Sequence, residues 1–187
     1  NRPYSYSVMS INQKIVGQFV DGTLDMKAHI RVTRETFFAL EAMLAPQTHG
    51  WSMSFRLFIF LFWLGCGTSY RVISVVFNVS TSTVHNIVHN TMNNVLASLQ
   101  NKVICYPSMD KIADVGRGFG RLARSQTFNN AVGAIDGCHV KVRVTGPNKQ
   151  DYFNRKLDYS VKFQAVVDDK GMFINISSHQ YLKVVSA

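Results

Sequence analysis

The chain has 187 residues, 47% of them apolar, which suffices for one domain with a sizeable core or two small ones and excludes disorder throughout. Its 20 lysines and arginines against 11 aspartates and glutamates leave a formal charge of +9, which favours a polyanionic partner through long-range attraction and counterion release. Three cysteines, Cys66, Cys105 and Cys138, are odd in number, far apart and without a C-x-x-C pair; they exclude a disulfide framework and a zinc knuckle and fit a reducing compartment.

Residues 1 to about 28 are of mixed polarity with a turn at Gly22 and read as a leader packed on the rest, without a secretory signal. From Val32 the pattern is helical: Thr33 stands where an N-cap belongs, Phe37, Leu40 and Leu44 recur at helical spacing, and Pro46 stops the run. A second helix is predicted from about Ser54 to Leu64. Its apolar run LFIFLFWLGC, from Leu57 to Cys66, is half the roughly 20 residues a membrane span requires and reads as a buried helix, with no membrane partner. Gly65-Cys66-Gly67 ends it.

Thr68 or Ser69 caps a third predicted helix running through Phe77. After the turn Asn78-Val79-Ser80, a fourth extends from about Thr81 to Leu99 with Val84, Ile87, Val88, Met92, Val95 and Leu96 as its apolar stripe. Residues 100–127 hold Pro107, Gly116, Gly118 and Gly120 and read as a connection with at most a short helix. From Val132 the period changes to two. Val140, Val142 and Val144 alternate with His139, Lys141 and Arg143, giving one apolar and one basic face, and Thr145-Gly146-Pro147-Asn148 ends the strand. Tyr159, Val161, Phe163, Ala165 and Val167 alternate again, Asp168-Asp169-Lys170-Gly171 turns, and Met172 to Ser177 returns. The fold class is therefore α+β, helices first and then an antiparallel meander. The organisation expected is a leader (1–30), a helical region (31–100), a connection (101–130) and a strand region (131–187).

The helix from Tyr70 to Phe77, the three-residue turn and the longer polar-faced helix after it have the arrangement of a helix-turn-helix, in which the first helix braces the second across the major groove of DNA. Val79 and Val84 are the expected buried contacts. Thr81, Ser82, His85, Asn86 and His89 are expected to face outward, where Ser, Thr and Asn bond phosphates or base edges. Arg71 adds one of few charges: between Glu41 and Asp110 there is no acid, and the only basic residues are Arg56, Arg71 and Lys102. An ordinary helical hairpin with a solvated second helix has the same spacing. His85 and His89, four apart, also have zinc-ligand spacing, but no third ligand stands near them in sequence.

Ala134-Ile135-Asp136-Gly137 places a carboxylate at the end of an apolar strand, before a glycine at which the backbone can turn. Nucleases that cut phosphodiesters with two Mg²⁺ ions need a rigidly held carboxylate of this kind, whereas the plain alternative is a turn. Lys141, Arg143, Lys149, Arg155 and Lys156 follow, interleaved with Tyr152, Phe153 and Tyr159, as on a surface that tracks a phosphate backbone or on a solvated strand face.

The stretch GAIDGCHVKV, followed by DYFNRKLDYSVKFQAVVDDKGMFINI, resembles the DDE endonuclease domain of Harbinger-type transposases and of the domesticated nucleases derived from them. Gly133 to Gly137, Asn154 to Lys156 and Gln164 to Asp168 carry the likeness, and Phe77 to Val84 resembles the helix-turn-helix preceding that domain. The resemblance spans about residues 33–177. It implies an RNase H-like fold, a divalent cation (Mg²⁺ or Mn²⁺) held first by Asp136, action on DNA in the nucleus with the cytoplasm as a further location, and a Myb-like DNA-binding companion protein. From the helix-turn-helix spacing and the basic strand region, the DNA contacts expected are Arg71, Thr81, Ser82, His85, Asn86, Lys141, Arg143, Arg155 and Lys156. The family's second acid, before a Gly-Tyr, and its later Glu have no counterpart, since Asp151, Asp158, Asp168 and Asp169 match neither position. The expectation is a C-terminally truncated, RNase H-like domain that does not cut DNA, with a non-catalytic DNA-binding or protein-interaction module as the alternative function. The last strand, Met172 to Ser177, is expected to leave an unprotected edge.

Overall fold

The computed structural model describes residues 13–44 and 50–179. Pro46, the predicted helix stop, and the tail beyond His179 lie outside the described residues. The chain divides into two compact units, with the boundary after Asn101.

The first unit is helical: α1 Gln13–Asp21, α2 Lys27–Ile30, α3 Arg34–Met43, α4 Met53–Cys66, α5 Tyr70–Phe77 and α6, which begins at Thr81 and ends at Val103 past the boundary. Its hub is α4, apolar on nearly all sides because other helices surround it; Phe55, Leu57, Phe58, Ile59, Phe60 and Leu61 are all buried. Four rings meet edge to face around it, with Phe19–Phe37 at 5.1 Å, Phe19–Phe58 at 5.2 Å and Phe58–Phe77 at 5.8 Å between centroids. Each fully buried ring contributes roughly 1.5–3 kcal/mol through the water it leaves. Residues 13–30, expected as part of a leader packed on the rest, form α1 and α2 and bury Val16, Phe19 and Ile30 in this core.

The helix ends follow local chemistry. The side-chain oxygens of Thr33, Ser52 and Ser69 accept the backbone N–H groups of Thr36, Phe55 and Val72, satisfying donors that have no partner within their own helices. Gly67, at φ +60°, closes α4 in the left-handed conformation.

The second unit contains α7 Met109–Ala123 and the strands β1 Ala134–Lys141, β2 Ser160–Val167 and β3 Phe173–His179. A fifteen-residue α7 corrects the expected loose connection. Its glycines punctuate no loop: a Cβ at Gly116 would strike the Asn129 carbonyl oxygen, one at Gly120 the Asn129 side chain and one at Gly118 the Asp169 carboxylate. They are the surface on which the helix lies against its neighbours. The strands form an antiparallel sheet in the order β1-β2-β3, with Asp136 opposite Ala165 and Ala165 opposite Ile176. The molecule is thus α+β, as the change of hydrophobic period indicates. The β2–β3 turn is closed by Asp168, whose carboxylate accepts the N–H groups of Lys170 and Met172, with Gly171 at φ +77°.

One expectation for the extent of β1 is overturned. The valine alternation predicts a strand through Val144, but pairing stops at Lys141, beyond which only the Val142 N–H bonds across, to Tyr159. Every residue of β1 is exposed, those of its apolar face included. Among the described residues, Val115 and Ile174 are the buried hydrophobic side chains of this unit, and its sheet has no core comparable to that around α4.

Candidate nucleic-acid interface

The turn between α5 and α6 is built from short polar side chains. Asn78 takes the left-handed conformation at φ +48° and its N–H returns to Val75, while the Val79 N–H bonds to Ser74. Ser80 Oγ accepts the Thr83 N–H at 3.0 Å and shares a hydroxyl hydrogen bond with Thr83 at 2.8 Å, so Ser80 caps α6. Val79 is 9% exposed and Ile73, Phe77, Val84, Ile87 and Val88 are buried. These contacts fix the approach of the two helices, and Phe55, Phe58 and Phe62 of α4 pack edge-on against Phe77. α4 is therefore the third helix of the motif, a role that its even hydrophobicity conceals in the sequence.

Rigid support leaves one polar strip of α6 in solvent. Thr81, Ser82, His85 and Asn86 are exposed. Asn90 and Asn93 continue the strip and were missed; their signal is the spacing 86, 90, 93, one helical face of asparagines. Arg71 is exposed on α5. His89 differs from expectation: it is half-buried, and its Nε2 lies 3.4 Å from the Tyr70 hydroxyl. The Tyr70 ring also meets His85 edge-on at 5.7 Å, and the two histidine rings are 4.2 Å apart. This aromatic cluster holds the side chain of His85 at the start of the strip.

The predicted residues of the second unit form a separate group. Asp136 lies within β1, not at its end. The strand passes straight through Asp136-Gly137, so the turn reading and the expected strand terminus both fall. The Asp136 carboxylate is exposed and accepts the Gly137 N–H at 2.7 Å. Lys141 forms an ion pair with Asp158; the hydrogen bond between them holds the Asp158 carboxyl below its ordinary range and raises the Lys141 ammonium above its own. Arg143 is exposed beyond the end of β1, and Arg155 and Lys156 are exposed in the loop before β2.

Asn154 organises that loop. Buried, it donates to Ser160 Oγ at 2.6 Å and accepts the Lys156 N–H at 2.8 Å, while Ser160 Oγ lies 2.9 Å from His139 Nδ1. The Asn-Arg-Lys block thus has one buried residue that sets the turn and two cations presented by it.

A two-cation clamp needs carboxylates converging on one point. Asp158 is taken by Lys141, Asp168 by the hairpin turn, and Asp169 lies against Gly118. Among the described residues no three His, Cys, Asp or Glu side chains are grouped to hold a metal. The carboxylates described do not fit the clamp.

Residues 52–100 match the model of a family described as the helix-turn-helix of DDE superfamily endonuclease. Comparison with curated proteins and with solved structures gives no match. The matched span opens at Ser52, the cap of α4, and ends within α6. It takes in the three helices whose packing is described above, so this part of the chain is similar to the helix-turn-helix of such endonucleases. Among the described residues no helix is long and apolar enough to cross a membrane.

Proposed function

We propose that the chain is a transposase-derived DNA-binding protein that lays the first turns of α6 in the major groove, with α5 crossing the backbone above it. The observation that carries this reading is the pairing of a rigid apolar mount, Ile73, Phe77, Val79, Val84 and Val88, with an uncharged polar strip, Thr81, Ser82, His85 and Asn86. Asparagine forms a bidentate pair with adenine, and serine and threonine serve either base edges or phosphates. With so few cations on α5 and α6, affinity from this motif alone is modest; base contacts rather than charge give it selectivity. Arg71 is the phosphate contact on α5.

The finer ancestry is Harbinger-type, on the strength of the ordered motifs at Gly133–Gly137, Asn154–Lys156 and Gln164–Asp168. In that ancestry Asp136 is the first ligand of Mg²⁺ or Mn²⁺, Lys141, Arg143, Arg155 and Lys156 lie along the DNA, the protein acts in the nucleus, and a Myb-like protein accompanies it. The binding role does not depend on this extension. Selection from a randomised duplex pool tests the role: the chain should enrich a defined base pattern, and Asn86→Ala should lose preference at one position, at a cost of about 1–3 kcal/mol there. A pool that emerges unchanged would overturn the reading.

A further inference from the structure

The proposed function leaves the charge of α7 unused. Arg117, Arg121 and Arg124 follow one another at i, i+4 and i+7, which sets them on one side of the helix over about 10 Å. All three are exposed, and they line a concavity of about 410 Å³ whose other walls are Gly120, Ser125, Gln126 and Asn129, with no carboxylate. Arg117 is paired with Asp114. Among the described residues Arg121 and Arg124 form no ion pair.

Compensation of the helix dipole explains part of this pattern: Asp110 stands in the first turn and Arg121 in the last. Arg124, the C-cap residue in the left-handed conformation at φ +51°, answers the same dipole. That compensation does not account for the neutral lining of this concavity by Ser125, Gln126 and Asn129, whereas Arg117 and Arg121 also border a second concavity that holds Asp114, Asp168 and Asp169. A guanidinium offers a planar fork of N–H donors that matches a phosphate, and two unpaired forks beside neutral donors form a receptor for phosphodiester oxygens.

We infer that the C-terminal half of α7, through Arg121 and Arg124 with Arg117 beside them, is a second contact surface for the sugar-phosphate backbone of duplex DNA, sequence-independent and separate from the helix-turn-helix. It goes beyond the proposed function and rests on it only in taking duplex DNA as the polyanion. In this arrangement α6 selects bases and α7 adds affinity that the weakly charged α5–α6 motif lacks.

The test uses the full chain and fluorescence anisotropy with a labelled duplex of mixed sequence across a salt series. Each lost phosphate contact lowers the slope of log affinity against log salt by about 0.9. R121Q/R124Q should therefore reduce the slope by about 1.8 and weaken binding on the order of tenfold or more at low salt, equally on all sequences. R121K/R124K should retain the slope. An unchanged slope in the glutamine pair overturns the inference, and so does its loss in the lysine pair, because the effect would then not be one of charge. If the glutamine pair loses binding to a polyglutamate peptide but not to duplex, the surface belongs to an acidic protein and the inference falls. Asn86→Ala separates the two readings: unaltered base preference there, together with the expected slope change at α7, removes the helix-turn-helix reading and keeps this one.

Discussion

Ser80 joins two helices with one hydroxyl, and removing that oxygen strands the Thr83 N–H at the start of α6. Ser80→Ala should lower stability by about 1 kcal/mol, read as a shift in urea midpoint with unchanged slope; an unmoved midpoint would contradict the cap. Lys141 and Asp158 give a prediction in pH. Asp158 has its carboxyl depressed in the folded chain, so its contribution is present above the carboxyl's unfolded value and lost as pH falls through the lower folded one. Lys141 is raised, so its contribution is present at neutral pH and lost as strong alkali passes its folded value. Both groups are solvent-exposed, which keeps the effect small. Carbon-detected NMR should show the Asp158 carboxyl titrating at a higher pH in Lys141→Met than in the wild type. Identical titration in both would contradict the pairing. At this scale the caps, turn residues and outward-facing Thr81, Ser82, His85 and Asn86 were legible, because each depends on neighbours within one or two helical turns. The role of Asn154 was not, since its hydrogen bond to Ser160 depends on how the loop folds back on β2.

Among the elements, α5 and α6 were readable from spacing and α7 was not. Glycine weakens an isolated helix by about 1 kcal/mol relative to alanine, so three glycines in five residues read as a break. The same atoms, absent, let α7 approach Asn129 and Asp169. Gly116→Ala should consequently destabilise the second unit, by about 1–3 kcal/mol through overpacking, despite alanine's better helix propensity. The nearest atom is a backbone carbonyl, which has no rotamer with which to yield. A neutral or stabilising outcome in chemical denaturation would show that the helix does not pack as described. β1 was readable as a strand but not in its surroundings: alternation announces two faces and does not say what covers either. Its exposed residues leave Asp136 open to solvent, so Asp136→Ala should preserve DNA affinity while weakening any Mg²⁺ or Mn²⁺ binding; equal metal affinity in the two proteins, by calorimetry, would remove Asp136 as a ligand.

For the whole molecule, the two units differ in what stabilises them. The helical unit has a ring cluster around α4, whereas the second unit has an antiparallel sheet with few buried side chains. Hydrogen exchange should accordingly find the amides of α4 the slowest and those of β1 among the fastest, and Phe58→Ala should cost about 3–5 kcal/mol in the helical unit. The central claim is that α6, mounted by this core, reads DNA. Selection from a randomised duplex pool by the wild type and by Ser82→Ala/Asn86→Ala tests it most directly. The wild type should yield a defined base pattern and the variant should lose preference at adjacent positions; the same pattern from both proteins would contradict base reading by α6.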